Sequence, residues 1–462
     1  MNKNALLINP PTPDKRKFTR NIGCAAESKG DYLLKPVDLT IISGILAPKY
    51  NVSFLDFVSN PHNFKDALAK VKESKADFII MTLIDVIFVN DFSFLKLLRE
   101  ELPTTAIFVL GDAFIEKSNR EKVEPIVQGI ITEPFKLKAE YFNLIEFNDI
   151  PGFHHKTSFQ LNNKTPETFH IPTPKHELFD DIYYKWPFSR NSRYATLTTV
   201  WGCPYACRYC TAARFPVHTR ENNELIKELL HIESLGFKEL YITDYSFGAN
   251  KKQTIDLLKL WKKESFSFSW SVYFHPNQFD KELLLLMKDN GCHTIICGVE
   301  SQDTKTLKKY GRSQSNNKIK ELIAFSHSIG IEVCGDFLIG LKEQTKDDIL
   351  SNIKFSKWLN LDFASFNLVA PLPGTTIREQ AREKGLLLEN SSMNYDSLGS
   401  DGILQLGQIT ERDLKKLRDQ SVKRFYIRPS FLIRKFFKIK SLNHFWILIK
   451  NFYQLMKKSI FS

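Results

Sequence analysis

Three cysteines fall within eight residues in the segment Trp201-Gly-Cys-Pro-Tyr-Ala-Cys-Arg-Tyr-Cys210, spaced Cys-x3-Cys-x2-Cys. Thiolates are soft ligands for iron and zinc. Three of them on one tight loop can each take one iron of a cubane cluster. Such clusters are commonly held by four cysteines, so a missing fourth ligand leaves one iron open. An open iron can chelate an amino and a carboxylate group and pass an electron to a nearby sulfonium. Other chemistries compete for Cys203, Cys207 and Cys210. A disulfide would leave one thiol over and suits a secreted protein. A zinc site needs a fourth ligand, which His218, eight residues after Cys210, could supply. Unliganded structural thiols are the third alternative. The other cysteines, Cys24, Cys292, Cys297 and Cys334, are scattered, and Cys297 and Cys334 sit in apolar strand patterns that read as core.

The elements that must position this loop follow from hydrophobic periodicity. Strands fit at Tyr194–Val200, Glu239–Thr243, Phe268–Tyr273, Thr294–Cys297, Glu332–Leu338 and Phe363–Leu368. Helical patterns fill the gaps, and four of them end at Gly236, Gly291, Gly330 and Gly385, where a left-handed C-cap is wanted. Repeated βα units predict a barrel or partial barrel whose active site lies at the strand C-termini. The cysteine loop directly follows the first of these strands.

Upstream, Ala5–Asn9 reads as a strand stopped by Pro10-Pro11. Leu39–Leu46 reads as a helix, Asn51–Phe57, Phe78–Leu83 and Ala106–Leu110 as strands, and Phe92–Glu101 as a helix. This alternation predicts a parallel sheet covered on both faces. Pro151–Arg193, rich in Pro, His, Thr and Asn, reads as an interdomain linker.

At 462 residues the chain can hold two or three domains, and 43% hydrophobic with 25% charged residues is the balance of a soluble globular protein. The net charge is +12, but residues 421–462 hold ten Lys or Arg and no Asp or Glu. The excess is therefore local, which argues against nucleic acid as a general partner. Met1–Pro13 has no secretory pattern, and no apolar run approaches the ~18–20 residues of a membrane span, so a cytoplasmic location is expected. In the tail, Leu442, Trp446, Ile449, Tyr453 and Met456 follow helical spacing among Lys450, Lys457 and Lys458. Such a basic amphipathic helix suits peripheral membrane contact at the inner face, or docking on the barrel with a solvated basic edge.

The cysteine motif followed by six βα units resembles the radical S-adenosylmethionine (SAM) superfamily. In that family the three cysteines bind a [4Fe–4S] cluster, and the aromatic before the last of them, here Tyr209, packs beside SAM. Further segments carry the resemblance: Ile242-Thr-Asp-Tyr-Ser-Phe247, Gly298-Val-Glu-Ser301, Gly335-Asp-Phe-Leu-Ile-Gly340 and Pro371-Leu-Pro-Gly-Thr-Thr376. They imply SAM contacts at Asp244, Glu300 and Gly340, with structural carboxylates as the alternative for Asp244 and Glu300. Two departures stand out. Tyr245 follows Asp244 where the family has paired acids, and Lys342-Glu-Gln-Thr345 replaces Pro-Gly-Glu-Thr. Tyr245 and His275, near expected strand ends, are the candidate acid or base residues.

Asn9-Pro-Pro11, Lys35-Pro-Val-Asp-Leu39 and Asp56 resemble the cobalamin-binding domain that precedes many such barrels, including those of C-methyltransferases, anaerobic porphyrin cyclases and hopanoid-pathway enzymes. No Asp-x-His-x-x-Gly hexapeptide is present; Gly111-Asp112 stands for the usual glycine pair, and Gln128-Gly-Ile-Ile-Thr-Glu133 for the usual Gly-Glu-Gly-Glu turn. Phe425-Tyr-Ile-Arg-Pro429 resembles a C-terminal element of the same group. The expected organisation is α/β: an N-terminal Rossmann-like, cobalamin-binding-type domain (1–150), a linker (151–193), a partial (β/α)6 radical SAM barrel (194–386) and a small helical, basic C-terminal region (387–462). The resemblance implies reductive SAM cleavage, with an electron donor such as flavodoxin or ferredoxin. The outcome is cobalamin-dependent C-methylation, or ring formation or rearrangement, on a hydrophobic or lipid-like small molecule. The rivals are a cobalamin-independent radical reaction with a vestigial first domain, and a zinc-stabilised RNA-binding module.

Overall fold

The computed structural model describes residues 3–23, 25–28, 32–143, 150–154, 167–387, 404–429 and 431–433. Its first sheet is built from β1 (Asn4–Asn9), β2 (Asn51–Asp56), β3 (Phe78–Thr82), β4 (Ala106–Leu110) and β5 (Gly129–Ile131), in the order β2-β1-β3-β4-β5 with all pairs parallel. Alternate residues serve opposite faces. Ala5, Leu7, Ile80 and Phe108 meet α1 (Val37–Leu46), while Leu6, Ile8, Ile79 and Val109 meet α2 (Phe64–Glu73) and α3 (Phe88–Glu101). Burial on both sides is why these strands read as unbroken apolar runs. The strand order reverses at β1, whose neighbours are β2 and β3, and this opens a crevice at their carboxyl ends.

The second sheet comprises β6 (Ala195–Leu197), β7 (Glu239–Ile242), β8 (Ser269–Phe274), β9 (Cys292–Glu300), β10 (Glu332–Ile339) and β11 (Phe363–Leu368). They run side by side in chain order, all parallel, with β6 and β11 at the edges. Five helices follow these strands in turn: α4 (Asn222–Ser234), α5 (Lys251–Lys263), α6 (Lys281–Asp289), α7 (Asn316–Ser328) and α8 (Lys346–Trp358). They share one core with the sheet, including Leu229, Trp261, Trp270, Leu284, Val299, Ile323 and Phe337. Gly236, Gly291, Gly330 and Gly385 have φ of +79°, +91°, +75° and +64°, as the expected left-handed caps require.

One expectation needs correction. The strand expected over Tyr194–Val200 is broken after Leu197, and Val200–Trp201 leaves the sheet to pair antiparallel with His218–Arg220. In the segment read as a linker, residues 184–188 pack against the sheet. Trp186 stacks on Tyr241 at 3.9 Å and donates to Ser271 Oγ at 2.6 Å, while the Tyr184 hydroxyl bonds the Asp56 carboxylate. With Leu33, Ile296 and Cys334 they form one apolar cluster against the strands.

After β11 come α9 (Thr376–Glu383) and α10 (Glu411–Tyr426), the latter capped by Thr410, whose hydroxyl accepts from Asp413 N at 3.2 Å. Helix α10 lies along the open edge of β11. There the Tyr426 hydroxyl accepts from Ala364 N at 3.1 Å and donates to Ala364 O at 2.8 Å. One phenol thus satisfies both backbone groups of Ala364, which a further strand would have paired. The amphipathic tail read from Leu442 to Met456 lies outside the described residues. Among the described residues no helix is long and apolar enough to cross a membrane.

Candidate functional site

The cysteine loop begins where β6 breaks, and Asp244 causes the break. Its carboxylate accepts from Thr199 N at 2.7 Å and Val200 N at 3.0 Å, both on Oδ1, and from the Thr199 hydroxyl on Oδ2. Those groups are therefore withdrawn from the sheet ladder. Asp244 is fully buried, and burial pushes its carboxyl up to about 6 against the pull of these bonds. Gly202 follows at φ +84°, where a Cβ would lie 2.0 Å from Pro216 O. Only glycine lets the chain turn there.

The loop is then clamped from three strand ends. The Tyr205 ring stacks on His275, beyond β8, with centroids 3.5 Å apart. Arg208 N donates to Tyr310 O at 2.9 Å, and a Cβ on Gly311 would meet Ala206 O at 2.3 Å, so the turn after β9 lies directly on the loop. From the segment after β11, Pro373 O accepts from the Thr211 hydroxyl at 3.1 Å, and Thr376 N donates to Arg208 O at 3.0 Å.

Cys203 and Cys210 are partly exposed and Cys207 is buried; none forms a disulfide. Burial, reinforced by the neighbouring cysteines, raises Cys203 to about 11 and Cys210 to about 12. That mutual influence places the three thiols in one electrostatic group. Among the described residues no three His, Cys, Asp or Glu side chains converge on a single metal-ion position. A cubane cluster asks for something different, one thiolate for each of three irons. His218 pairs with Trp201 at the base of the loop, where its Nδ1 accepts from Glu167 N at 3.0 Å and its Nε2 is buried without a hydrogen-bond partner.

The residues expected around SAM divide. Tyr209 lies beside Glu300 and packs among Tyr310, Leu338 and Val369. Glu300 sits at an irregularity closing β9, with φ +62°, and its carboxylate is 3.7 Å from Arg312. Burial raises its carboxyl, opposed by Arg312 and Tyr209. Gly340, at φ +102°, donates its N–H to Gln344 Oε1 at 2.8 Å. Gln344 also receives Leu341 N at 3.1 Å and donates to Leu338 O at 3.1 Å. Gln344 thus closes the turn where the family's Pro-Gly-Glu-Thr is absent. Asp244 is placed differently, since both its oxygens serve the strand leading into the loop. The two acid–base candidates, His275 and Tyr245, are both engaged by neighbouring groups. Burial, with Arg312 and Lys318, pushes His275 down to about 2, so its ring stays neutral. The Tyr245 hydroxyl donates to Ile22 O of the first domain and its ring packs with Trp201 and Phe215, which makes it a strut.

Sequence reasoning missed Arg312. Its Nη1 donates to Cys207 Sγ at 3.7 Å, Nη2 to Gly298 O, and Nε to Gln314 Oε1 at 2.9 Å. Burial works against its charge, but Glu300, Tyr209 and Cys207 outweigh it and hold the guanidinium ionised. The available signal was a Gly-Arg pair a dozen residues after the Gly-Val-Glu-Ser strand end.

The first domain turns its strand ends toward the same mouth. Arg378 on α9 pairs with Asp85 at 2.7 and 3.1 Å and lies 2.9 Å from Glu116, which also receives Arg382 at 2.7 Å. Asp85 N in turn donates to Asp112 Oδ1 at 3.0 Å. A Cβ on Gly111 would come within 1.8 Å of Leu83 O, so the loops after β3 and β4 pack on one another. On the far side of the crevice, Asn90 donates to Pro11 O at 2.8 Å and Arg20 pairs with Asp91. These loops present carboxylates, guanidiniums and carbonyls. None of the residues named here offers an imidazole to a metal.

A profile of the radical SAM superfamily matches residues 198–356, the span from the broken first strand to α8. The chain carries a radical SAM domain. Over 452 residues it is 26% identical to an uncharacterised methyltransferase of Pyrococcus horikoshii, covering 94% of each chain. In fold the radical SAM protein is similar to the radical SAM methyltransferase TsrM of Kitasatospora setae, solved with cobalamin and a [4Fe–4S] cluster. The TM-score is 0.62 at 16% identity, covering 82% of this chain and 79% of that one. It is also similar to the cobalamin-dependent radical enzyme OxsB, solved with aqua-cobalamin and SAM, at TM-score 0.61 and 12% identity, covering 99% and 72%.

Proposed function

We propose that this radical SAM enzyme is a cobalamin-dependent C-methyltransferase of a small-molecule substrate. The observation that carries the reading is the three-cysteine loop, clamped at the carboxyl ends of a six-stranded parallel sheet and facing the crevice of a second, doubly wound sheet. The near full-length similarity to a methyltransferase and the likeness in fold to cobalamin-dependent enzymes support it.

On this reading Cys203, Cys207 and Cys210 hold a [4Fe–4S] cluster. Tyr209, Glu300 and Gly340 border SAM, and Asp244 fixes the strand from which the loop springs. The crevice loops at Pro10-Pro11, Leu83–Asp85 and Gly111-Asp112 hold cobalamin. Together these cofactors supply reductive cleavage of SAM, hydrogen abstraction from an unactivated carbon and a methyl group to replace that hydrogen. The protein's own contribution is orientation and exclusion of water. Trp186, Tyr184 and Leu33 pack against the sheet, and Tyr245 and Arg378 tie the first domain to the barrel. The inward positions Thr243, Tyr273, Leu338, Ser365 and Asn367 are half-buried and mix apolar with hydrogen-bonding groups, as a site for a small molecule of mixed polarity requires. Electrons come from a flavodoxin- or ferredoxin-type donor, and the basic tail favours a hydrophobic substrate delivered at a membrane surface.

Anaerobic reconstitution with iron, sulfide and hydroxocobalamin tests the assignment. About four irons and about one cobalamin per chain, with 5′-deoxyadenosine formed on reduction, are expected. Near-stoichiometric zinc without sulfide would overturn it. A cluster and SAM cleavage without retained cobalamin would reduce the first domain to a scaffold and the reaction to a cobalamin-independent one.

A further inference from the structure

Resting on the cluster assignment above, we propose that Arg312 is a positioning residue that sets the reduction potential of the cluster by donating to the thiolate of Cys207. Of the three cysteines, Cys207 is the one classed as buried, and a guanidinium N–H reaches its sulfur at 3.7 Å. Arg312 is itself only 6% exposed, so little water screens it. Its fork is fixed on every side. Nη2 is held by Gly298 O, Nε by Gln314, and Gln314 Nε2 is anchored in turn on Val299 O.

The backbone beneath it is equally fixed. Tyr310 O holds Arg208 N, and Gly311, at φ +73°, lies against Ala206 O with no room for a Cβ. Residues 310–312 therefore address residues 206–208 one after another, through a carbonyl, a bare Cα and a guanidinium. A planar fork held by two further groups gives a fixed direction that a lysine ammonium cannot reproduce.

Iron–sulfur potentials depend on net charge, on hydrogen bonds to the sulfurs and on solvent exposure. Uptake of one electron makes the cluster more negative, so a fixed cation donating to a ligand thiolate stabilises the reduced form and raises the potential. Glu300 at 3.7 Å offsets part of that charge without competing for the sulfur. The arrangement keeps the cluster within reach of a cellular donor while Cys207 stays buried.

The test is the midpoint potential of the reconstituted full-length protein, read by EPR of the reduced cluster with dithionite as electron source, in wild type, R312K and R312M. The midpoint should fall in R312M and fall less in R312K, at equal iron and sulfide content. A fall of 59 mV corresponds to a tenfold loss of reduced over oxidised cluster at a given potential. An unchanged midpoint in R312M with a full cluster would overturn the proposal and leave the cluster assignment standing. A wild-type protein that assembles no iron–sulfur cluster would overturn the assignment itself. Should neither variant assemble a cluster, wild-type protein labelled with 15N in its arginine guanidiniums decides. A 15N hyperfine coupling to the reduced cluster is expected, and its absence would refute the contact.

Discussion

Replacing Asp244 separates a structural carboxylate from a cofactor ligand. In D244A the two backbone donors of Thr199 and Val200 and the Thr199 hydroxyl lose their acceptor at positions that are almost completely buried. Each buried donor left unpaired costs about 1–3 kcal/mol, so the loss of an acceptor by three donors should destabilise by roughly 3–9 kcal/mol. That is a large share of the ~5–15 kcal/mol typical of a folded domain. D244N behaves differently. Its amide oxygen can keep both backbone bonds, and its NH2 can donate to the Thr199 hydroxyl. It also removes a carboxylate whose burial raises it from 3.8 to about 6. A raised carboxyl stabilises the fold fully below the unfolded value and loses that contribution as pH climbs through about 6. D244N should therefore gain on wild type as pH rises from about 4 to about 6, by at most about 3 kcal/mol, and hold that difference above pH 6. Urea unfolding followed by tryptophan fluorescence, with iron content after reconstitution, measures both effects. Equal midpoints for D244A and wild type, or equal losses in D244A and D244N, would refute the assignment. A direct SAM ligand would instead show unchanged stability and weakened SAM binding in D244N.

Five other substitutions probe the same architecture. C203A, C207A and C210A should each reduce bound iron and sulfide from about four per chain to a small fraction, as measured by metal and sulfide analysis; retention of a full cluster in any of them would displace that residue as a ligand. G311A places a methyl group 2.3 Å from Ala206 O in a left-handed conformation, so cluster assembly should be incomplete and the fold weakened by about 1–3 kcal/mol, visible as a lower iron content and a lower melting temperature. Asp38 is buried with one backbone bond, from Ile22 N at 2.7 Å, and burial raises it from 3.8 to about 7. Its favourable contribution is complete below about pH 4 and is lost as pH rises through 7. D38N should accordingly melt higher than wild type at pH 8 and no higher at pH 4, with an upper bound of about 4 kcal/mol.

The regular parts of this molecule were legible because local signals agree. Helical patterns ending in Gly236, Gly291 and Gly330 mark βα units, and the cysteine spacing stands in an eight-residue window. What stayed hidden depends on partners distant in sequence. The break in the first barrel strand is made by Asp244, 45 residues downstream of Thr199, and no pattern in Tyr194–Val200 announces it. Trp186 and Tyr184 stand in the aromatic run Ile182-Tyr-Tyr-Lys-Trp-Pro-Phe188, whose lack of periodicity does not show which surface they pack against. Arg312 looks like a surface arginine after a short helix until the fold brings it beside Cys207. Tyr245, at a departure from the family pattern, acquires its meaning from Ile22, which belongs to the other domain.

The phenol that occupies the outer edge of β11 has a consequence for the solubility of shortened chains. A sheet of six parallel strands that does not close on itself ends in exposed backbone donors and acceptors, and such edges recruit strands from other molecules. Helix α10 hides that edge behind an aromatic side chain, which cannot template further pairing. A chain ending after Leu386 keeps all three cysteines and every barrel strand. It would nonetheless present β11 to its neighbours, and edge-to-edge association is expected of it.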